Sequence, residues 1–364
     1  MMRSPSVNTA TMYRGGAPVA VIRRRLIQII RKNPWLTARL VHENGKYSFK
    51  YSGDWDSDLV AEHLEFTEDR SLVLELDYES FTKKIERFIV PNGTSCVNRN
   101  APLFKVSVVQ NPSGFAFIMS MSHCLGDGTT FYNIYGMFDG EISSVRPLIP
   151  ERVLSYTEDV QKKSPMQRFF SSVPFIARVL LFIFFEPKKT KAQIYKIQKS
   201  WVDAEKESAM KAKQSSGKSK GKGKMREDQI VSTNDVLVSW WARRAQFDFC
   251  LMAVNFRGRL QQLSRDHAGN YSGVTLMSGM DAATPAGVRT AVSKILVQPE
   301  TLPTAAQIFG FNCGIATNWT TFYTEVTFGH CTLLRHMPVF VSGGQRFPAG
   351  MVIFCPKKGE MAAL

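Results

Sequence analysis

From Pro187 to Arg226 the chain carries thirteen lysines and arginines against three acids, and within that tract Gln214 to Lys224 reads QSSGKSKGKGK. A stretch of glycine, serine and lysine has no apolar side chain to bury, so nothing offsets the entropy of ordering it. Any packed core must therefore form to either side of it. With 364 residues there is enough chain for two medium cores, which puts an N-terminal unit at 1–186, a disordered lysine-rich crossover linker at 187–229 and a C-terminal unit at 230–364. The tract also holds +10 of the formal +15 net charge, leaving +5 for everything else. So concentrated a charge describes a solvated tract, not a basic folded surface, and no nucleic-acid partner is expected. Attraction of anionic cofactor phosphates or acidic lipid headgroups is the alternative use of it.

Before the tract, Val19, Ile22, Leu26, Ile29 and Ile30 fall at helical spacing between Pro18 and Asn33-Pro34, with arginines interleaved. That reads as a core-facing helix with a basic outer face, with a basic membrane-surface helix as the alternative. Thr37–Val41 and Tyr47–Tyr51 flank Asn44-Gly45, a hairpin signal. Leu103–Gln110 and Phe115–Met119 read as strands joined by the turn Asn111-Pro112-Ser113-Gly114. No element is assigned within the acidic, mixed stretch 54–84. Phe169–Phe185 (FFSSVPFIARVLLFIFF) is 17 residues long and broken by Pro174 and Arg178, short and interrupted for a membrane span. It reads as a buried helix or the apolar lining of a substrate channel, with peripheral membrane contact as the alternative.

After the tract, Ser232-Thr233-Asn234-Asp235 reads as a helix N-cap leading into Val236–Arg244. Strands are expected over Phe247–Phe256, Val274–Met277, Tyr323–Phe328 and Met351–Phe354. The class is α/β. Six scattered cysteines, with no CxxC pair, indicate reduced thiols and neither a disulfide framework nor a zinc site. With no secretory leader visible, the expected location is cytoplasmic, or membrane-associated through 169–185.

The strongest chemical signal is Phe115–Gly128, FAFIMSMSHCLGDG. A buried strand gives way to a turn at His123, with Asp127 four residues on and Gly128 behind it, a place for a general base held on one side and open on the other. Glycine at 128 would let the backbone turn tightly beside that base. A structural histidine in a turn is the alternative. None of the six histidines has metal-ligand spacing, so no metal is expected. There is no Gly-x-Ser-x-Gly elbow and no dinucleotide fingerprint.

His-x-x-x-Asp-Gly after an apolar strand resembles the signature of the chloramphenicol-acetyltransferase-like superfamily of acyltransferases, and the pattern is closest to its BAHD-type members. Further blocks occur in family order: Leu26–Leu40, Ser232–Trp241, Val254–Leu260 (VNFRGRL, like vD.R.Rl), Gly269-Asn270, and Ala316–Trp319 followed by Tyr323–Gly329. Thr327-Phe328-Gly329-His330-Cys331 stands where BAHD members have Asp-Phe-Gly-Trp-Gly, and Ser122 stands where condensation domains have a second histidine. The chain is shorter than typical members, with the family's opening strand unaccounted for.

The resemblance implies two α/β subdomains with a channel at their interface, and acyl transfer from a coenzyme A thioester to a hydroxyl or amine. His123 would be the base and Asp127 a structural residue paired with Arg257, or failing that Arg259. Thr317, Asn318 and Trp319 would line the acceptor site or hold the oxyanion, with plain strand packing as the alternative for all three. The expected partners are a small-molecule or lipid acceptor, with the protein a monomer. Two other readings stay open: a condensation-type or wax-ester/diacylglycerol-type synthase acting on a carrier-bound or lipid substrate, and a degenerate member that binds without catalysis.

Overall fold

The computed structural model describes residues 2, 4–53, 60–72, 76–140, 145–156, 173, 191–215, 230–294, 312–341 and 349–364. The apolar run 169–185, apart from Val173, and residues 216–229 of the lysine-rich tract lie outside them.

Strands β1 (Val7–Arg14), β4 (Leu64–Glu68), β5 (Phe104–Asn111), β6 (Gly114–Met121) and β11 (Thr332–Pro338) form one sheet in the order β11-β1-β6-β5-β4. β6 is buried along its whole length because both its faces are covered. Phe115, Phe117, Met119 and Met121 pack with Ile22, Leu26 and Ile29 of α1 (Val19–Lys32), whereas Ala116 and Ile118 pack with Phe81 and Ile85 of α2 (Tyr78–Ile85). The two-residue alternation of a strand thus supplies two cores at once. The β5–β6 turn is closed by Asn111, whose Oδ1 accepts from the amides of Ser113 and Gly114 at 2.8 Å each. At Gly114, with φ +159°, a Cβ would lie 1.9 Å from the carbonyl oxygen of Tyr13, so β6 could not approach β1 with any other residue there.

A strand, β1, precedes α1, where the resemblance left none accounted for. Its sequence, VNTATMYR, lacks an apolar alternation, yet only its last residue is exposed. Two of its polar side chains, Asn8 and Thr11, find partners far along the chain, whereas Thr9 Oγ1 is buried with none among the described residues. Asn8 Nδ2 donates to the carbonyl of Val339 at 3.3 Å, and Thr11 Oγ1 bonds the Tyr135 hydroxyl at 2.8 Å and His336 Nδ1 at 2.9 Å. β1 pairs antiparallel with both β6 and β11, so a C-terminal strand completes the N-terminal sheet.

The second sheet runs β7-β13-β12-β10-β8-β9, from β7 (Tyr195–Ile197), β8 (Phe249–Asn255), β9 (Ser272–Ser278), β10 (Cys313–Asn318), β12 (Ala349–Phe354) and β13 (Met361–Ala363). β7 and the helix α4 (Lys199–Ser215) occupy the middle of the span expected as a disordered linker, so that expectation fails over 195–197 and 199–215. Val202 of this helix buries against Leu237 and Val238, and that burial outweighs the surrounding charge. Ser232 caps the helix Thr233–Ala245 in a reciprocal capping box with Asp235. Tyr323–Phe328, expected as a strand, is irregular, with Val326 and Phe328 buried. Its anchor is the Tyr13 hydroxyl, which donates to the carbonyl of Val326 at 2.8 Å.

β2 (Arg39–Glu43) and β3 (Lys46–Lys50) form a separate two-stranded ribbon. Asn44 at φ 51° and Gly45 at φ 72° make the left-handed pair that a tight hairpin turn requires.

Candidate active site

At the end of β6 the chain leaves the first sheet and presents Ser122–Asp127 to the connection between β8 and β9 of the second. Asp127 is the N-cap of the helix α3 (Gly128–Gly136): its Oδ1 accepts from the amide of Thr130 at 3.1 Å. Its Oδ2 accepts from Arg257 Nη1 at 2.8 Å and from the amide of Tyr271 at 2.9 Å. The Arg257 and Asp127 side chains are 0% and 3% exposed, so this is a buried pair. Arg257 spends its remaining donors on the carbonyl of His267 at 2.7 Å, the carbonyl of Gly269 at 2.9 Å, Thr130 Oγ1 at 3.0 Å and Asn255 Oδ1 at 3.2 Å. Its guanidinium also lies 5.0 Å from the ring centroid of Tyr271. A buried charge with this many partners ties the two halves of the chain together and leaves Asp127 no oxygen aimed at a substrate.

His123 is half-buried. Asn270 grips it twice: Asn270 Nδ2 donates to the His123 carbonyl at 2.9 Å, and Asn270 Oδ1 lies 3.0 Å from His123 Nδ1. The first bond fixes which end of the amide is oxygen, since a flipped amide would set two carbonyl oxygens against each other. Oδ1 can only accept, so Nδ1 carries a proton, and in the neutral ring the lone pair is then on Nε2. Asn270 follows Gly269, whose φ of +124° suits only glycine. Sequence reasoning found the Gly269-Asn270 pair but not its role, because the partner lies 147 residues away.

The expected tight turn at Gly128 is absent. Gly128 is the first residue of α3, has no positive φ, and a Cβ there would sit 3.6 Å from Trp319 Nε1, an ordinary contact. The glycine that matters sterically is Gly126, where a Cβ would come within 2.8 Å of the Thr130 side chain.

Of the three residues expected near the acceptor, Trp319 is buried beside Gly128 and packs edge-on against Tyr132 at 5.8 Å. Asn318 turns to Asn234 at 3.2 Å and to the amide of Thr320 at 2.9 Å. Thr317 sits in β10 opposite Val352. None of the three lines the cavity of about 550 Å³ whose walls include Cys124, Leu125, Asn270 and Tyr271, and His123 is not among its lining residues either.

Thr327, where BAHD members have aspartate, is held by a carboxylate from the other side. Asp139, just past α3, accepts from Thr327 Oγ1 at 2.7 Å and from its amide at 3.3 Å. Behind α3, the fully buried His336 bridges Thr11 and, through Nε2, the Tyr132 hydroxyl at 2.9 Å. Burial pulls its pKa down to about 3, so the ring is neutral.

Among the described residues no group of three or more His, Cys, Asp or Glu is placed to hold a metal ion, and no helix is long and apolar enough to cross a membrane.

The fold is shared with known structures. The chain is similar to TRI101 of F. sporotrichioides, solved with coenzyme A and T-2, at TM-score 0.59 and 13% identity, covering 100% of this chain and 91% of that one. It is equally similar to polyketide synthase associated protein 5 from Mycobacterium tuberculosis, at TM-score 0.59 and 13% identity, with 98% and 87% covered. The first condensation domain of the CDA synthetase aligns at TM-score 0.55 and 11% identity, with 99% and 84% covered. No family model matches the sequence, and no curated protein matches it. The chain therefore has the two-subdomain α/β fold of chloramphenicol-acetyltransferase-like proteins.

Proposed function

We propose that the protein is an acyltransferase that moves an acyl group from a coenzyme A thioester to a hydroxyl or amine, with His123 as general base. The observation that carries this reading is the Asn270 grip, which places a proton on Nδ1 and, in the neutral ring, leaves Nε2 with the lone pair a base needs. Nε2 takes the acceptor's proton as its oxygen or nitrogen attacks the thioester carbonyl. The C–S bond then breaks, and the imidazolium returns the proton to the departing thiolate, giving ester or amide plus free thiol. Asp127 and Arg257 are positioning residues: they hold the turn that aims His123 and touch no reacting atom. The fold neighbours solved with coenzyme A support the choice of donor. A condensation-type synthase on a carrier-bound substrate is the second reading, favoured by the likeness to condensation domains.

The test is thiol release from acyl-CoAs offered with a panel of alcohols and amines. Release by the wild type, lost in His123→Ala at unchanged Tm, is the expected result. Equal release by the two proteins removes the catalytic reading.

A further inference from the structure

The ribbon of β2 and β3 belongs to neither sheet, yet it is held to a fixed shape. Asn98 clamps it: the amide of His42 donates to Asn98 Oδ1 at 2.9 Å, and the amide of Asn98 donates to the carbonyl of Leu40 at 2.9 Å. Leu40 is buried in the core that also holds α1 and β6, and it pairs across the ribbon with Phe49. His42 pairs with Tyr47, and their ring centroids are 4.4 Å apart. Tyr47 and Phe49 alternate along β3, so they share one face, and Tyr51 continues the spacing one residue beyond the strand. These three rings are 59%, 41% and 46% exposed, and all three line the cavity of about 550 Å³. Open aromatic rings on a braced element are binding surface that needs little further ordering.

The wall formed by Cys124 and residues 269–271 has little polar capacity left for a ligand. Both ends of the Asn270 amide are taken by His123, and the Gly269 carbonyl accepts from Arg257 at 2.9 Å. The Tyr271 hydroxyl accepts from the amide of Val153 at 3.0 Å, and the Cys124 thiol lies 3.2 Å from Ser122 Oγ. Such a wall offers carbon surface, and it would strip a charged ligand of water without replacing it. The charged residues lining the space, Glu151 and Arg152, are adjacent in sequence, opposite in sign and exposed, so their charges stay solvated. The volume suits a molecule of drug-like size.

We propose that this cavity binds an uncharged, planar aromatic molecule, held by stacking on the ribbon rings and by apolar contact with the wall at 268–271. Asn270 belongs both to that wall and to the grip on His123. An occupied cavity therefore braces the segment that holds the histidine, with no contact between ligand and imidazole required. Such binding is independent of acyl transfer and is read without coenzyme A.

Isothermal titration of the full chain tests the ligand class with three probes. Naphthol is planar, aromatic and neutral at pH 7; decahydronaphthol has a similar size but is puckered and has no π-face; naphthalenesulfonate is planar but charged. Naphthol is expected to bind about three- to tenfold more tightly than decahydronaphthol, and the sulfonate to bind more weakly than naphthol. Phe49→Leu keeps apolar bulk at an exposed position and removes the ring. It is expected to weaken naphthol by about three- to tenfold and to leave decahydronaphthol unchanged. Tyr51→Leu, beyond the strand, gives the same reading should Phe49→Leu lower the Tm. Hydrogen exchange then places the ligand: saturating naphthol should slow exchange in 39–51 and in 268–271. No naphthol binding to the wild type overturns the proposal, as does equal affinity for decahydronaphthol or for the sulfonate. Naphthol affinity unmoved by either ribbon variant, or protection confined to other segments, overturns it as well.

Discussion

Asp127→Ala leaves the Arg257 guanidinium buried at 0% exposure with its anionic partner gone. It also strips acceptors from the amides of Thr130 and Tyr271 and removes the N-cap of α3. Breaking a buried pair from one side costs roughly 3–5 kcal/mol, and because the lost bonds share one carboxylate the smaller terms do not simply add to that figure. At about 2–4 °C per kcal/mol, thermal unfolding should come roughly 6–20 °C lower, with activity lost at the same time. The double variant Asp127→Ala/Arg257→Met removes both charges and should recover part of the loss, since no isolated cation remains. Differential scanning calorimetry on wild type, the two single variants and the double variant closes the cycle. Unchanged Tm in Asp127→Ala with activity abolished would refute the structural role and make Asp127 a participant in the chemistry. Strictly additive Tm losses would show that the pair is not coupled.

Asn270→Ala should lower kcat by about 10–100-fold with little change in Tm, because His123 then has no fixed tautomer; an unaltered kcat would separate the grip from catalysis. Gly126→Ala should be more damaging than Gly128→Ala in both Tm and thiol release, since only the first forces Thr130 off the Asp127–Arg257 pair. Thr327→Asp, which restores the residue common in the resembling family, should destabilise the chain by setting a second carboxylate against Asp139, and adding Asp139→Asn should rescue the Tm. His336 stays neutral in the folded state down to about pH 3, whereas the unfolded chain protonates it below about 6.5. The sign follows: stability is unaffected above about pH 6.5 and falls below it by about 1.4 kcal/mol per pH unit until about pH 3. Denaturant midpoints of wild type and His336→Gln between about pH 4.5 and 7.5 should therefore differ in slope by one proton, and parallel curves would contradict the burial of a neutral ring.

What could be read directly from the residues was local. The Asn44-Gly45 turn, the Ser232–Asp235 capping box, the α1 stripe and the β6 strand ending at His123 each depend on neighbours two to four positions apart, where backbone geometry and side-chain periodicity act. The Asp127–Arg257 pair was legible through the resemblance, on which the two residues stand in separate motifs. The partners that decide the site were not legible in this way. β1 is polar by sequence and buried in fact, because Asn8 and Thr11 find donors and acceptors more than 300 residues along the chain. Thr327 looked like a lost aspartate until Asp139 supplied the carboxylate from 188 residues away. The cavity, too, is walled jointly by Tyr47, Phe49 and Tyr51 of a ribbon outside both sheets and by Gly269 and Asn270 far along the chain. Contacts at such separation are chosen by sheet order and packing, and no local pattern encodes which of many distant side chains will meet.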